Sequence, residues 1–585
     1  MKSNVTKRII LFGAIVALFF VAACAGSDTT IHSTVSSTAG NNTYNTAYAN
    51  SEEHEDVTFS DMVFSYPDID AMRAAMDDLQ AGAESGKPAE DMIAAYEALQ
   101  EQYDHADSML SLCYLNYAFD VTDESNRETY AQLQSALTEL DTDMQSVSAT
   151  LFESSSEAEQ LAKQSFGEGY VNAIIRDASY DDDSVQTLLD QEEQLTLEYD
   201  NLSTTFSILD NGTRWTYIDI MNDVSLSNEE YMRLYDSYCA ALNAEAGEIF
   251  LQQRDIRTQI AESLGYSDYA TYCYDSFGRD YTPTDATALH EAVKTYIAPI
   301  FVEANNNQDT SDLGAAYFDE DEFFSALSSA ANSFSPMLSE SVNYMLQNRL
   351  YDFTDSDVKM DSSFTTYISD YRAPFIFSRW NGAADNITTE LHELGHFTNY
   401  YYNATVGYSA GDSLDLAEVD SQALVLLLFD DYGSFYGTLA DQAKTSALID
   451  AMYSLLSGCM EDEFQQAIYA NPDMMLDEIN ALYERLSSEY GLQEVYGYLG
   501  TEWVLVSHTF QSPLYYISYA ASMVPALELF DLAQSDPSAA KTAYFNIIMR
   551  DSYAGLDEVL KQNGLDSVFS ETTIARIAEI LKQYV

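Results

Sequence analysis

Two histidines four residues apart, with a glutamate directly after the first, stand at His392, Glu393 and His396 in the run Glu-Leu-His-Glu-Leu-Gly-His-Phe (390–397). On a helix, positions i and i+4 share a face one turn apart, so both imidazoles can bind one cation. Glu393 lies beside them, where a carboxylate can take a proton from a water on that cation. Only 7 histidines occur in 585 residues, so the pattern is a specific signal. A hydrolytic zinc site wants three protein ligands and one open position. Glu418, 26 positions after His392, is the one glutamate between residues 394 and 460. Its segment, LDLAEVDSQALVLLLF, reads as a helix that becomes apolar all round and hence buried. A lone carboxylate entering such a helix is costly unless paired or metal-bound. Asp415, one turn earlier, is the rival: a ligand, or a partner that orients a histidine.

The elements that must position these groups are helices. Ile387, Leu391, Leu394 and Tyr401 form a separate apolar stripe, so the motif helix can pack its back against core. From about residue 59 to 350, apolar residues recur at three- and four-residue spacing, as in Met92, Tyr96, Leu99 and Tyr103, or Leu195, Tyr199, Leu202 and Phe206. Breakers at Gly86-Lys87-Pro88 and Asp210-Asn211-Gly212 separate the candidate helices. The aromatic run SDYRAPFIFSRW (369–380) reads as strand, and helical period resumes after Asn381-Gly382 almost to Val585. The expected fold is mainly α, with a small β-sheet beside the motif helix. The strand around Ala373–Ser378, with Phe375 and Phe377, is expected to hold an extended substrate backbone.

Charge excludes one class of function. The chain carries 25 Lys+Arg against 95 Asp+Glu, a formal net charge of −70, which repels a phosphate backbone, so no nucleic-acid partner is expected. At the N-terminus, Lys2, Lys7 and Arg8 precede an apolar run to Ala23, a secretory signal by charge and length and too short for a comfortable membrane span. Its end, Val21-Ala22-Ala23-Cys24, resembles the lipobox of bacterial lipoproteins, whose cysteine is acylated. That implies lipid anchoring through Cys24 on the outer face of the cell membrane. The expected organisation is a signal over 1–23, a flexible Ser/Thr/Asn-rich tether over 24–57, a helical domain over 58–205 and a catalytic domain over 206–585. Cys113, Cys239, Cys273 and Cys459 are too few for a disulfide framework, and their pairing is not readable from sequence.

The arrangement around His392, His396 and the Glu418-Val-Asp-Ser-Gln segment resembles the thimet oligopeptidase and oligoendopeptidase F family of zinc peptidases. Upstream, RTQIAESLGYSDYATYCYDSFGRDYTPTD (257–285) is similar to the oligoendopeptidase F branch, and His508-Thr-Phe-Gln-Ser-Pro-Leu-Tyr-Tyr-Ile-Ser-Tyr519 to the family's His-and-Tyr substrate segment. The resemblance implies one Zn2+ per chain on His392, His396 and Glu418, with Glu393 as general base. It also implies Tyr519 assisted by His508 at the oxyanion, Tyr515 and Tyr516 contacting substrate, and two largely helical halves around a deep channel for oligopeptides. Two rival readings stand beside it: a non-catalytic peptide-binding lipoprotein, and a zinc hydrolase of cell-wall peptides. The chain departs from the family at Asn399, where a histidine is usual, and at Val425, where a glutamate is usual.

Overall fold

The N-terminal helices begin and end where side-chain chemistry stops the backbone from continuing. The computed structural model describes residues 57–178, 183–403 and 413–585; the expected signal and nearly all of the tether, Cys24 included, lie outside them. Helix α1 (Ile69–Ser85) starts at Asp68, whose carboxylate accepts the Ala71 N–H at 3.0 Å, and stops at Gly86 in the left-handed region (φ 71°). Helices α2 (Ala89–Phe119), α3 (Glu124–Glu153), α4 (Ser156–Phe166) and α5 (Glu168–Ala178) pack around a shared core. The stripe Met92, Tyr96, Leu99 and Tyr103 is buried in it, as its spacing predicts. Helix α6 (Asp183–Thr205) packs along the long α7 (Asn228–Ser263), across the domain boundary expected at 205.

Asp210-Asn211-Gly212, expected to separate neighbouring helices, instead turns a hairpin. Strands β1 (Ile208–Asp210) and β2 (Thr213–Trp215) pair antiparallel around Asn211 (φ 50°) and Gly212 (φ 84°). An Asn-Gly pair takes positive φ at low cost, and a two-residue loop of that kind matches strand twist.

A second sheet has the order β3-β5-β4, formed by Tyr351–Asp352, Ala373–Phe377 and Phe364–Ile368 in that spatial order. The strand expected from the aromatic run is therefore present as β5, but it is central: β4 pairs with it antiparallel and β3 parallel. Phe375 and Phe377 are 1% and 0% exposed and pack against Phe59, Phe119 and Phe364. Those two residues are core, and the expectation that they touch substrate is corrected. A short apolar run does not tell a central strand from an edge; here both flanks of β5 find partners and β4 is left at the edge.

The rest is helical: α8 (Ala384–Tyr402), α9 (Leu414–Leu427), α10 (Ala440–Tyr469), α11 (Ile517–Ser535) and α12 (Pro537–Ile548). Helix α9 is wedged between α8 and α11, and α11 also packs on α10 and α12. At 74% helix the chain lies far above the usual third, so the mainly α expectation holds. Ile387, Leu391 and Leu394 are at most 1% exposed, and burying each contributes about 1.5–3 kcal/mol toward seating α8. Cys113, Cys239, Cys273 and Cys459 are all buried and unbridged. Among the described residues, no helix is long and apolar enough to cross a membrane.

Candidate metal centre

Helical spacing alone brings His392 and His396 together: their ring centroids lie 5.0 Å apart at 80°. Helix α9 delivers the third group. The Glu418 Oε2 lies 3.5 Å from the His392 Nε2 and 3.8 Å from the His396 Nε2, and one ligand atom from each of the three falls within 4.8 Å of the others. Donors about 2.0–2.2 Å from a tetrahedral ion stand roughly 3.3–3.6 Å apart, so the two Glu418 separations lie at or just above the spacing that a single zinc-sized cation sets. The side chain of His392 is 19% exposed, which leaves solvent a route to the site. Asp415, the rival ligand, is turned elsewhere: its Oδ2 is 4.0 Å from the Arg279 Nε.

Close approach of the two helices depends on Gly395. A Cβ there would lie 2.4 Å from the Asp420 carbonyl oxygen and 2.5 Å from the Ser421 Cα, which only a missing side chain avoids. Three further contacts fix α9 and α8. Asp420 forms a buried ion pair with Arg550 at 2.8 and 2.9 Å, and its carbonyl accepts the Tyr544 hydroxyl at 2.9 Å. Asn399 donates to the Ile548 carbonyl at 3.0 Å, tying α8 to α12.

Burial sets the charge state. It pushes the His392 imidazole down to about 4 and that of His396 well below its usual range, which keeps both rings neutral, the form that binds metals. Glu418 is pushed up to about 7 by burial, against a hydrogen bond from the Ser421 hydroxyl at 3.0 Å. Glu393 is pushed up to about 8 by burial, eased by its hydrogen bond with Thr365 and raised further by the Glu418 charge. The Thr365 hydroxyl, on edge strand β4, is 2.7 Å from the Glu393 Oε2. A bound cation would draw both carboxylates back toward ionisation.

The third segment also converges. His508 (6% exposed) lies 5.0 Å from the Tyr516 ring, 5.4 Å from Tyr515 and 6.3 Å from Tyr519, measured between centroids. Tyr519 is on α11, and one turn later the Ser522 hydroxyl donates to Gln422 of α9 at 3.2 Å, one turn beyond Glu418. Packing thus sets the tyrosine helix against the third-ligand helix. Arg279 joins the same pair: besides facing Asp415, it donates to the Ser518 hydroxyl at 3.0 Å and stacks 4.5 Å from Tyr274 and 4.8 Å from Phe277. Sequence reasoning missed Thr365, Arg279 and the partner of Gly395, because all three act across contacts between distant segments.

Residues 59–174 match the Peptidase M3 N-terminal domain. The fold as a whole matches PZ peptidase A, solved with an inhibitor, at a TM-score of 0.72 and 21% identity over 90% of this chain and 99% of that one. It matches a protein assigned as oligoendopeptidase F from Bacillus anthracis str. Ames at 0.71 and 22%, over 90% and 98%. Oligoendopeptidase F from Enterococcus faecium follows at 0.58 and 13%, over 88% and 97%. No curated protein matches the chain in sequence. The fold is therefore the mainly helical oligoendopeptidase fold. The family resemblance carried by the metal motif agrees with it, since the N-terminal segment and the overall architecture point the same way independently.

Proposed function

We propose that this protein is a zinc-dependent oligoendopeptidase, anchored through Cys24 at the outer face of a bacterial membrane and cutting short unstructured peptides. The observation that carries the reading is the convergence of His392, His396 and Glu418 within 4.8 Å beside Glu393, on an oligoendopeptidase fold. His392, His396 and Glu418 would hold the ion, and zinc bound there supplies Lewis-acid activation of water and of the peptide carbonyl. Glu393 accepts the proton of the attacking water and returns it to the leaving amine, its carboxylate held in place by Thr365. Tyr519 donates to the developing oxyanion with His508 assisting, and removing one such donor commonly costs about 10²–10³ in turnover. Tyr515 and Tyr516 flank the peptide. A deep channel between two largely helical halves would admit flexible oligopeptides and refuse folded proteins. The N-terminal signal pattern supports the location, since an apolar run ending in Ala-Ala-Cys suits export and acylation.

The deciding experiment is mass spectrometry of a mixed pool of short peptides incubated with the purified protein and with Glu393→Gln, both first shown to hold equimolar zinc. Internal cleavage by the parent alone is the expected result. Intact peptides with zinc fully bound would sink the reading and leave a peptide binder or a hydrolase of cell-wall peptides.

A further inference from the structure

A cavity of ≈250 Å³ lies between α6, α7, α10 and the segment 496–507, and its wall is unusual in composition. Among the described residues, ten tyrosines line it, with two carboxylates, Glu461 and Glu502, and no lysine, arginine or histidine. Glu461, on α10, is 2% exposed. Its Oε1 accepts the Tyr483 hydroxyl at 2.7 Å, while its Oε2 is buried without a hydrogen-bond partner. A buried acceptor left unpaired costs about 1–3 kcal/mol, more when charged, so the Glu461 Oε2 stands open to a donor brought by a ligand. Burial pushes this carboxyl up to about 8, a penalty that a neighbouring positive charge would reverse.

The cavity adjoins the candidate active site. Tyr516 forms part of its wall, and that ring stands 5.0 Å from His508 and 5.2 Å from Tyr519; Ser507, the residue before His508, also lines it. A group seated in the cavity can therefore belong to a peptide whose backbone runs past His508 and Tyr519.

We propose that this cavity is a specificity pocket for a basic side chain of the peptide substrate, lysine or arginine, whose cationic head pairs with Glu461 and Glu502 and whose stem lies along the tyrosines. The inference rests on the peptidase reading and names the substrate class within it. At ≈250 Å³ the space falls below the usual 300–1,000 Å³ of a site for a whole small ligand and suits one side chain. Aromatic faces attract ammonium and guanidinium groups, and long basic side chains bury their apolar stems along such faces. An anion would meet two carboxylates. An apolar side chain would leave the Glu461 Oε2 unpaired, so neither competes.

The test uses full-length, zinc-loaded protein and two peptide series that differ at one scanned position, carrying lysine or arginine in one and norleucine or citrulline in the other. At one position the basic peptides are expected to be cut with kcat/KM at least about tenfold higher. In Glu461→Gln, and separately in Glu502→Gln, that ratio should collapse toward one, with each variant's fold checked by its thermal transition. Affinities of the same peptides for Glu393→Gln, measured by calorimetry, separate the two claims. Cleavage without any basic preference, or a ratio that survives both substitutions, overturns the pocket and leaves the peptidase standing. Absent cleavage, with tighter binding of the basic peptides that disappears in Glu393→Gln/Glu461→Gln, keeps the pocket and removes the peptidase. Equal affinities for basic and neutral peptides overturn the pocket whether or not the protein cleaves.

Discussion

A Cβ on Gly395 would stand 2.4 Å from the carbonyl oxygen of Asp420, so the helix carrying both histidines and the helix carrying Glu418 meet backbone to backbone. Gly395→Ala must push them apart until that contact reaches an ordinary van der Waals distance, which moves Glu418 relative to His392 and His396. Zinc affinity is expected to fall about 10–100-fold, the range seen when a ligand loses its support. Competition against a chromophoric chelator measures it, with circular dichroism confirming retained helix; unchanged affinity would refute the argument.

Among the described residues, Thr365 is the one group bonded to the Glu393 Oε2, and it also donates to the Glu393 carbonyl at 3.0 Å. Thr365→Val keeps the shape and removes the hydroxyl. Turnover should drop about 10–100-fold with bound zinc still stoichiometric, because the carboxylate loses orientation while the ligands are untouched. A loss of zinc in parallel with activity would place Thr365 in the structural support of the site instead.

The Arg550–Asp420 pair is 1% exposed on both sides. Arg550→Met removes the cation paired with a buried carboxylate and should destabilise the fold by about 3–5 kcal/mol. Adding Asp420→Asn to that variant should recover some of the loss, and urea unfolding midpoints read both. A double variant as unstable as the single one would show that packing, not charge, is responsible.

Stability should also depend on pH through Asp107 on α2. Burial, together with the charges of Asp104, Asp141 and Asp370, pushes its carboxyl up to about 7. The native state therefore favours the protonated form. Its contribution is fully present below the unfolded value near 3.9, and it is lost as pH rises through about 7. Asp107→Asn is expected to exceed the parent by about 1–2 kcal/mol at pH 8 and to match it at pH 4. Identical pH dependence of the two unfolding midpoints would rule this out.

Cys24→Ser should move the protein from the membrane fraction to the soluble one and abolish the mass of an acylated N-terminal peptide. A protein that stays membrane-bound after the substitution would contradict anchoring at this residue.

The cluster of His392, His396 and Glu418 is legible because its information is local or scarce. Helix periodicity alone pairs His392 with His396, and the absence of other glutamates nearby singles out Glu418. Phe375 and Phe377 misled because an apolar strand looks the same at a sheet's centre and at its edge until its neighbours are known. Asn211-Gly212 carried a hairpin signal that a long helical context obscured. Asp415 could not be separated from Glu418 by spacing, and it was Arg279, far earlier in the chain, that resolved them.

The Arg279 guanidinium lies against Tyr274 and Phe277 while reaching Asp415 on the helix of Glu418 and Ser518 beside Tyr519. Pulling those last two helices away from each other would strand a buried positive charge between them. Glu418 and Tyr519 therefore travel as one rigid body, and any breathing of the molecule must find its hinge outside that pair.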